Sequence, residues 1–466
     1  MGSLSDAEPP CVKTAGGGDS GATKTTLTLE DLATRPDLIA VDGSVVDVVA
    51  LSKVHPGGEH ICAWGGTDAT GAFYSIHPHT AERNLRVMRE RFVAKSSQGE
   101  PLTLVDGSKA AYPFVFDSPF AQDLKQAVKA DLKARDVSSI YAGAVFWVRT
   151  ALIMILTLAS EVAFIFTGDF WAMLAAGTCH ALIGLNIQHD ASHGGMSKNP
   201  SVNAFFAYGA DWVGSSRWIW FQQHIIGHHP HTNIEGKDED AHSAEPILQF
   251  HWAPTTGVRR HCIRWQHLYM HIVLALYGPS VVYNLGMIAT MQHGNEIPDG
   301  NPWMKAKRPF AWVMRLFFYV RIVALPMIIG GASWYTAMLG VPLVNGAILT
   351  FLFVVSHNFE GADREPLDCT QADGTVDWYK LQAETSCSYG GRWAGFFSGG
   401  LNMQIEHHLF PRMSSWQYPL IAPAVRKVCE KHNVKYNYYP SLLSNAASTV
   451  RFMAAVGRLS ADDKHA

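Results

Sequence analysis

The chain has 466 residues and a formal net charge of −3, with 48% hydrophobic and 17% charged residues. That length is too great for one ordinary core, the charge gives no electrostatic basis for binding nucleic acid, and the apolar balance leans toward a membrane protein. Seven cysteines, an odd number without a Cys-x-x-Cys pair, argue against a disulfide framework and for reduced, cytosol-facing soluble parts.

Residues 1–25, rich in Gly, Ser, Ala and Thr, read as a flexible tail without the basic start and apolar stretch of a signal peptide. A first folded unit is expected over 26–105. It has modest alternation at Val45, Val46, Val48 and Val49, and turn signals at Asp42-Gly43 and Pro56-Gly57-Gly58. Residues 106–142 form a linker. Within it Phe120, Leu124, Val128 and Leu132 recur every four residues, which predicts an amphipathic helix.

Apolar segments follow. Residues 143–167 and 170–188 each approach the roughly 20 residues that cross a bilayer core. The brief Gly168-Asp169 link makes them a hairpin. Arg149 and Glu161 are unusual inside such a segment. No charged residue occurs from Ile322 to Phe359, which allows two more crossings joined near Gly340-Val341-Pro342. Segments 202–221 and 265–295 are expected to be interfacial or half-inserted, because a fifth crossing would put the last histidines on the wrong side. Four crossings leave both termini and all the spaced histidines on one side. Lys125, Lys129, Lys133, Arg135, Arg259, Arg260 and Arg264 crowd that side, so it is expected to be cytosolic.

Eight histidines stand in spaced groups beside these segments: His189 and His193; His224, His228 and His229; His357; and His407 and His408. An isolated histidine is ordinarily a surface or packing residue. Spacings of four on a helix, repeated at successive apolar segments, instead point to metal. Zinc closes at four ligands, so eight imidazoles suit two metals, although imidazole by itself serves zinc, copper and iron alike. Asp190, Asp238, Asp240 and Glu406 are candidates to accept ring N–H groups, and Asn358 to hold a bridging water. His180, His231, His242, His251, His261, His267, His271 and His293 fit no repeated spacing and are assigned to packing or surface.

In the N-terminal unit, His55-Pro-Gly-Gly58 is followed by Gly65-Gly-Thr-Asp-Ala-Thr70 and then by His77 and His79. Two histidines from two loop–helix turns can clamp a haem from both faces and leave no site open to oxygen. His55 and His77 are the expected axial ligands, with His79 as the alternative. A haem that passes single electrons selects iron for the histidine groups.

Residues 26–105, with HPGG at 55–58 and GGTDAT at 65–70, resemble cytochrome b5. Residues 143–460, with HDASH at 189–193, HIIGHH at 224–229 and QIEHH at 404–408, resemble membrane fatty-acid desaturases. The b5 unit and the glutamine that opens the third motif mark the front-end group. The stretches at 356–366, 376–391 and 399–423 look most like microalgal delta-5 acyl desaturases.

The resemblance implies an α+β cytochrome b5-like domain followed by an all-α integral-membrane domain, with four transmembrane helices under a cytosolic di-iron cap. It also implies two non-haem irons held by His189, His193, His224, His228, His229, His357, His407 and His408, with Gln404 as a further ligand, and haem b. NADH-cytochrome b5 reductase would supply the electrons. O2 and a C20 polyunsaturated acyl chain, on coenzyme A or phospholipid, would be the substrates, in the endoplasmic reticulum membrane. Delta-6, delta-8 or delta-4 specificity, an acyl or sphingoid hydroxylase, and a membrane-anchored haem electron carrier are the alternatives.

Overall fold

The computed structural model describes residues 25–78, 80–105, 114–291, 301–364, 367 and 369–462. The chain forms two compact units, one of residues 1–114 with 295–304 and one of residues 115–294 with 305–466. His79 and His293 lie outside the described residues.

In the first unit, strands β1 (Thr26–Leu27), β2 (Leu38–Val41), β3 (Ser44–Asp47) and β4 (Thr103–Leu104) form a sheet in the order β1-β4-β3-β2. Strands β2 and β3 pair antiparallel with Val41 opposite Ser44, leaving Asp42-Gly43 as a two-residue turn. Both turn residues have positive φ, 48° and 74°, the conformation that matches the twist of paired strands and that Asp-Gly adopts most readily. The valine run divides. Val45 and Val46 are buried in β3, and Asp47 then caps a helix, Val48–Ser52, by accepting from the Ala50 N–H at 2.8 Å. Leu32, Leu38, Ala40, Val45, Ala94, Leu102 and Leu104 close the core.

The second unit is helical. The periodic segment forms the helix Pro119–Ala134, started by Ser118, whose hydroxyl accepts from the Ala121 N–H. Its Phe120, Leu124, Val128 and Leu132 are buried, and it packs on the helix Tyr418–Lys431. The boundary between units falls at residue 114, so this helix belongs to the second unit and is not a free connection.

Among the described residues, four helices are long and apolar enough to cross a membrane: Ala144–Thr167, Phe170–Ser192, Pro302–Ile328 and Thr336–His357. Their polar intrusions have partners. Arg149 donates to the Phe396 carbonyl at 3.2 Å. Glu161 receives His180 at 2.6 Å and the Trp212 indole at 2.9 Å, and it faces Arg321 at 3.4 Å. A buried charge is tolerated inside a bilayer when it is paired in this way.

The second hairpin turns elsewhere than at the expected Gly340-Val341-Pro342. The chain reverses between Ile328 and Thr336. There Gly330 packs against Gly168 so closely that a Cβ on Gly168 would stand 2.4 Å from the Gly330 carbonyl. Pro342 instead lies inside the continuous helical span Thr336–His357, directly after its π-wound stretch Thr336–Gly340. The sequence misleads because proline marks turns and is also admitted within a helix where the winding is irregular.

Segment 265–295 forms the helix Gln266–Tyr283, antiparallel to the fourth span; Met270 and Leu274 meet Val354, and Gly278 meets Gly346. The chain then turns at Asn284, and the Met291 carbonyl accepts from Gln222, two residues before His224. The described part of the segment therefore runs beside the fourth span and turns back toward the second histidine group. Trp212 likewise brings segment 202–221 inward to Glu161.

Candidate metal centre

The spaced histidines lie on helices wound in an unusual way. Gly184–Gln188 and Phe221–His228 are π-helical. Wide winding of this kind is rare outside functional sites. The sequence spacing put His224 and His228 on one face, and their rings do stack at 5.1 Å. The π-turn also brings residue i+5 into line, so His224 Nε2 and His229 Nε2 stand 3.1 Å apart.

The eight histidines converge. Ligand atoms of His189, His193, His224 and His407 lie within 4.8 Å of one another, as do those of His228, His357 and His408. His229 borders both groups, with its Nε2 3.1 Å from His407 Nε2 and its ring stacked on His408 at 4.3 Å. Adjacent helical residues diverge by about 100°. The doublet His407-His408 therefore divides, His407 to the first group and His408 to the second. The amide of Gln404 joins the second group, its Nε2 3.0 Å from His357 Nε2.

The orientation of the rings identifies what they are for. The outward nitrogens are held by protein. His228 Nδ1 lies 3.0 and 3.1 Å from the two Asp238 oxygens. His357 Nδ1 meets the Thr385 carbonyl at 3.2 Å, His407 Nδ1 the Tyr418 hydroxyl at 3.0 Å, and His408 Nδ1 the Gln382 Oε1 at 2.8 Å. By contrast, the Nε2 atoms of His189, His193, His228 and His408 are buried without a hydrogen-bond partner, and so is Gln404 Oε1. An outer partner that takes Nδ1–H leaves the Nε2 lone pair facing inward, the tautomer a metal needs. Buried orphan nitrogens are costly unless something binds them. The donor set fits two imidazole-bound metal ions.

Electrostatics agrees. Burial, with the neighbouring imidazoles, holds His193, His224, His229, His407 and His408 well below the usual histidine pKa. They are neutral at pH 7, as ligands must be. Burial also opposes charge on His228, but Asp238 and Asp240 outweigh it and raise its pKa.

Of the carboxylates expected to hold rings, Asp238 does so, and Asp240 lies 3.5 Å from His224 Nδ1. Asp190 and Glu406 do not. Each directly neighbours a histidine on its helix and so points away from it. Asp190 accepts from Ser414 and Ser415, and Glu406 from Ser388 and Tyr436. Asn358 binds Arg364 and the Val354 carbonyl. Tyr418, Gln382 and Thr385, and Thr232, whose hydroxyl lies 3.2 Å from His408 Nδ1, carry no spacing signal in the sequence, because each meets a ring that belongs to another segment of the chain. His180 and His231 bond to Glu161 and the Gly227 carbonyl, outside the cluster.

Asp238→Asn is expected to lower metal affinity about 10- to 100-fold. The amide can turn an N–H toward His228 Nδ1 and oppose the ligating tautomer. Metal analysis of the purified variant checks this, and unchanged metal content after dialysis against chelator would refute it.

A cleft opens beside the histidines. It is lined by Trp220, Gln223, Tyr277, Leu349, Thr350 and Phe353 and reaches His224, His228 and His357. Phe353 presents its ring edge-on to both His189 and His224.

In the first unit, the rings of His55 and His77 stand 6.1 Å apart at 80°. His77 Nδ1 lies 2.9 Å from the Phe73 carbonyl. The Gly57 N–H donates to His55 Nδ1 at 3.0 Å, and a Cβ on Gly57 would come within 2.9 Å of that nitrogen. The separation of the two imidazoles suits a haem between them, and the Phe73 carbonyl gives His77 the ligating tautomer, whereas His55 would have to give up the Gly57 N–H to present its Nε2 lone pair.

The fatty acid desaturase family model matches residues 168–440. The chain is 34% identical over 457 residues to an acyl-lipid (7-3)-desaturase of Rebecca salina, covering 95% of each protein. It is 32% identical over 430 residues to an acyl-lipid (7-3)-desaturase of Diacronema lutheri, covering 91% of each. With Delta(5) fatty acid desaturase A of Dictyostelium discoideum it shares 28% identity over 452 residues, covering 90% of each.

Proposed function

Because the chain belongs to the fatty acid desaturase family, we propose that it is a front-end desaturase of C20 polyunsaturated acyl chains, inserting a cis double bond at delta-5. It is an oxidoreductase that acts on a fatty acyl substrate with O2 in a membrane. The observation that carries the reading is the convergence of eight histidines, four of which (His189, His193, His228 and His408) hold a buried Nε2 without a hydrogen-bond partner.

In this reading His189, His193, His224 and His407 hold one iron, and His228, His357 and His408 the other. His229 lies between them and Gln404 completes the second. The irons supply activation of O2 and removal of hydrogen from an unactivated methylene. The protein does the rest. Tyr418, Gln382 and Asp238 fix the rings that they bond. Phe353 and Leu349 offer apolar surface on which a methylene chain can lie beside the metals, and they keep water away. An alkyl chain has no polar handle at the reacting carbons, so position must be measured from the anchored head by the length of the cleft.

In this reading residues 26–105 are a b5-like electron donor in which His55 and His77 would hold haem b, and the haem would supply single electrons taken from NADH-cytochrome b5 reductase. The enzyme would sit in the endoplasmic reticulum with its histidines facing the cytosol. Basic residues on that side and the fused donor support this placement. The acyl carrier is coenzyme A or phospholipid.

A second regiochemistry, of the (7-3) type, is favoured by the names of the relatives at 34% and 32% identity. Yeast expressing the chain and fed C20 and longer polyunsaturated acids separates the readings by gas chromatography. A new delta-5 bond in C20 acids is the expected product. A bond one carbon nearer the carboxyl, in longer acids only, would replace delta-5 with the second reading, and a hydroxylated product would reject desaturation.

A further inference from the structure

A second group of metal-binding side chains lies on the loop that follows the HIIGHH motif. His242 ends the short helix Glu239–His242, Glu245 comes three residues later, and His251 closes the loop. The two imidazoles stand 4.6 Å apart at 64°. His242 Nδ1 lies 3.2 Å from Glu245 Oε1. His251 Nε2 lies 3.6 Å from that same oxygen and 3.6 Å from Glu235 Oε1.

The two longer separations exceed a hydrogen bond. They are close to the spacing of two ligands on one ion. Bonds of about 2.0–2.1 Å at tetrahedral angles set neighbouring ligands roughly 3.4 Å apart. The other nitrogen of His251, Nδ1, is buried without a hydrogen-bond partner. His242 is hydrogen-bonded to Glu245 and to the Gly236 N–H, while His251 meets both carboxylates only at the longer distance. The ligand atoms of His242, Glu245 and His251 lie within 4.8 Å of one another, the composition of a three-residue ligand set, with Glu235 beside His251 as a fourth.

We propose that His242, Glu245 and His251, joined by Glu235, form a binding site for a divalent transition ion of the zinc class, separate from the eight-histidine centre. Mixed imidazole and carboxylate ligands at tetrahedral spacing suit Zn2+. Its place on the loop gives it a task. The span from Glu235 to His251 contains Asp238 and Asp240, the carboxylates beside His228 and His224. An ion tying the two ends of the span together closes the loop and holds Asp238 against His228. The site positions a ligand-holding carboxylate and touches no substrate. Binding through His242 Nδ1 puts the ring proton on Nε2, which now accepts from the Gly236 N–H. Gly236 has open space around it and can turn aside.

The test uses the full-length, iron- and haem-loaded enzyme in detergent, with Zn2+ as the probe. Iron and zinc are counted on the same washed sample and thermal unfolding is followed. One equivalent of zinc beyond unchanged iron is expected, with a higher Tm. Both effects should vanish in His251→Ala and in the conservative Glu245→Gln. The inference falls if the wild type retains no added zinc, if zinc enters only by displacing iron, or if both variants retain it equally. Failure here leaves the desaturase reading intact, because the iron count is read separately.

Discussion

His407→Ala is expected to abolish desaturation while leaving the haem spectrum unchanged. The ring is buried, its Nε2 lies 3.1 Å from that of His229, and its ligand atom belongs to the group with His189, His193 and His224. Tyr418 holds its other nitrogen at 3.0 Å. Burial pushes that hydroxyl well above its usual pKa, so it stays a neutral phenol. Alanine removes a ligand that no neighbour can replace. Turnover should fall by more than about 100-fold, beyond the cost of losing an outer hydrogen-bond partner. His55 and His77 lie in the other compact unit, so the haem absorbance should not change, and an unchanged thermal unfolding profile reports that the unit holding His407 has folded. Product formation from C20 substrate, measured with the Soret band on one preparation, decides the matter. Near-normal turnover would overturn the two-iron reading and favour a membrane-anchored electron carrier.

His55→Ala is expected to do the reverse. The haem band should disappear while about two irons per chain remain. The Gly57 N–H bond to His55 and the tight approach of Gly57 position this ring, and alanine leaves His77 facing an empty place. A donor on the same chain acts at an effective concentration in the millimolar range. Without it only free donors serve, and turnover should fall by on the order of 100-fold or more. Adding excess reduced soluble b5 should restore part of it. If the haem band survives in His55→Ala, the axial pair is misassigned. If turnover persists without haem, the fused unit is not the electron route.

These two substitutions rest on residues that the sequence exposed directly. Helical spacing in HDASH and HIIGHH predicts rings on shared faces, because a helix repeats its face every three to four residues. Asp42-Gly43 predicts a two-residue turn because both positions must take positive φ. The four-residue periodicity of Phe120 to Leu132 predicts a buried stripe, and those side chains are buried. Other features stayed hidden. Pro342 predicts a turn and lies instead inside the helical span Thr336–His357. Asp190 and Glu406 adjoin ligands in the chain and point elsewhere. Tyr418 and Gln382 hold histidine rings and carry no local sign of it.

Residue order alone is enough for the family motifs, for the number of helices long and apolar enough to cross a membrane, and for the list of spaced histidines, because each depends on short-range periodicity or on a run of apolar residues. The partition of the histidines into two groups, the glycine contact that locates the second hairpin turn, and the gathering of His242 and His251 required the folded chain. Those features arise where segments distant along the backbone meet, and where π-winding changes which neighbours face the same way. Local spacing records neither.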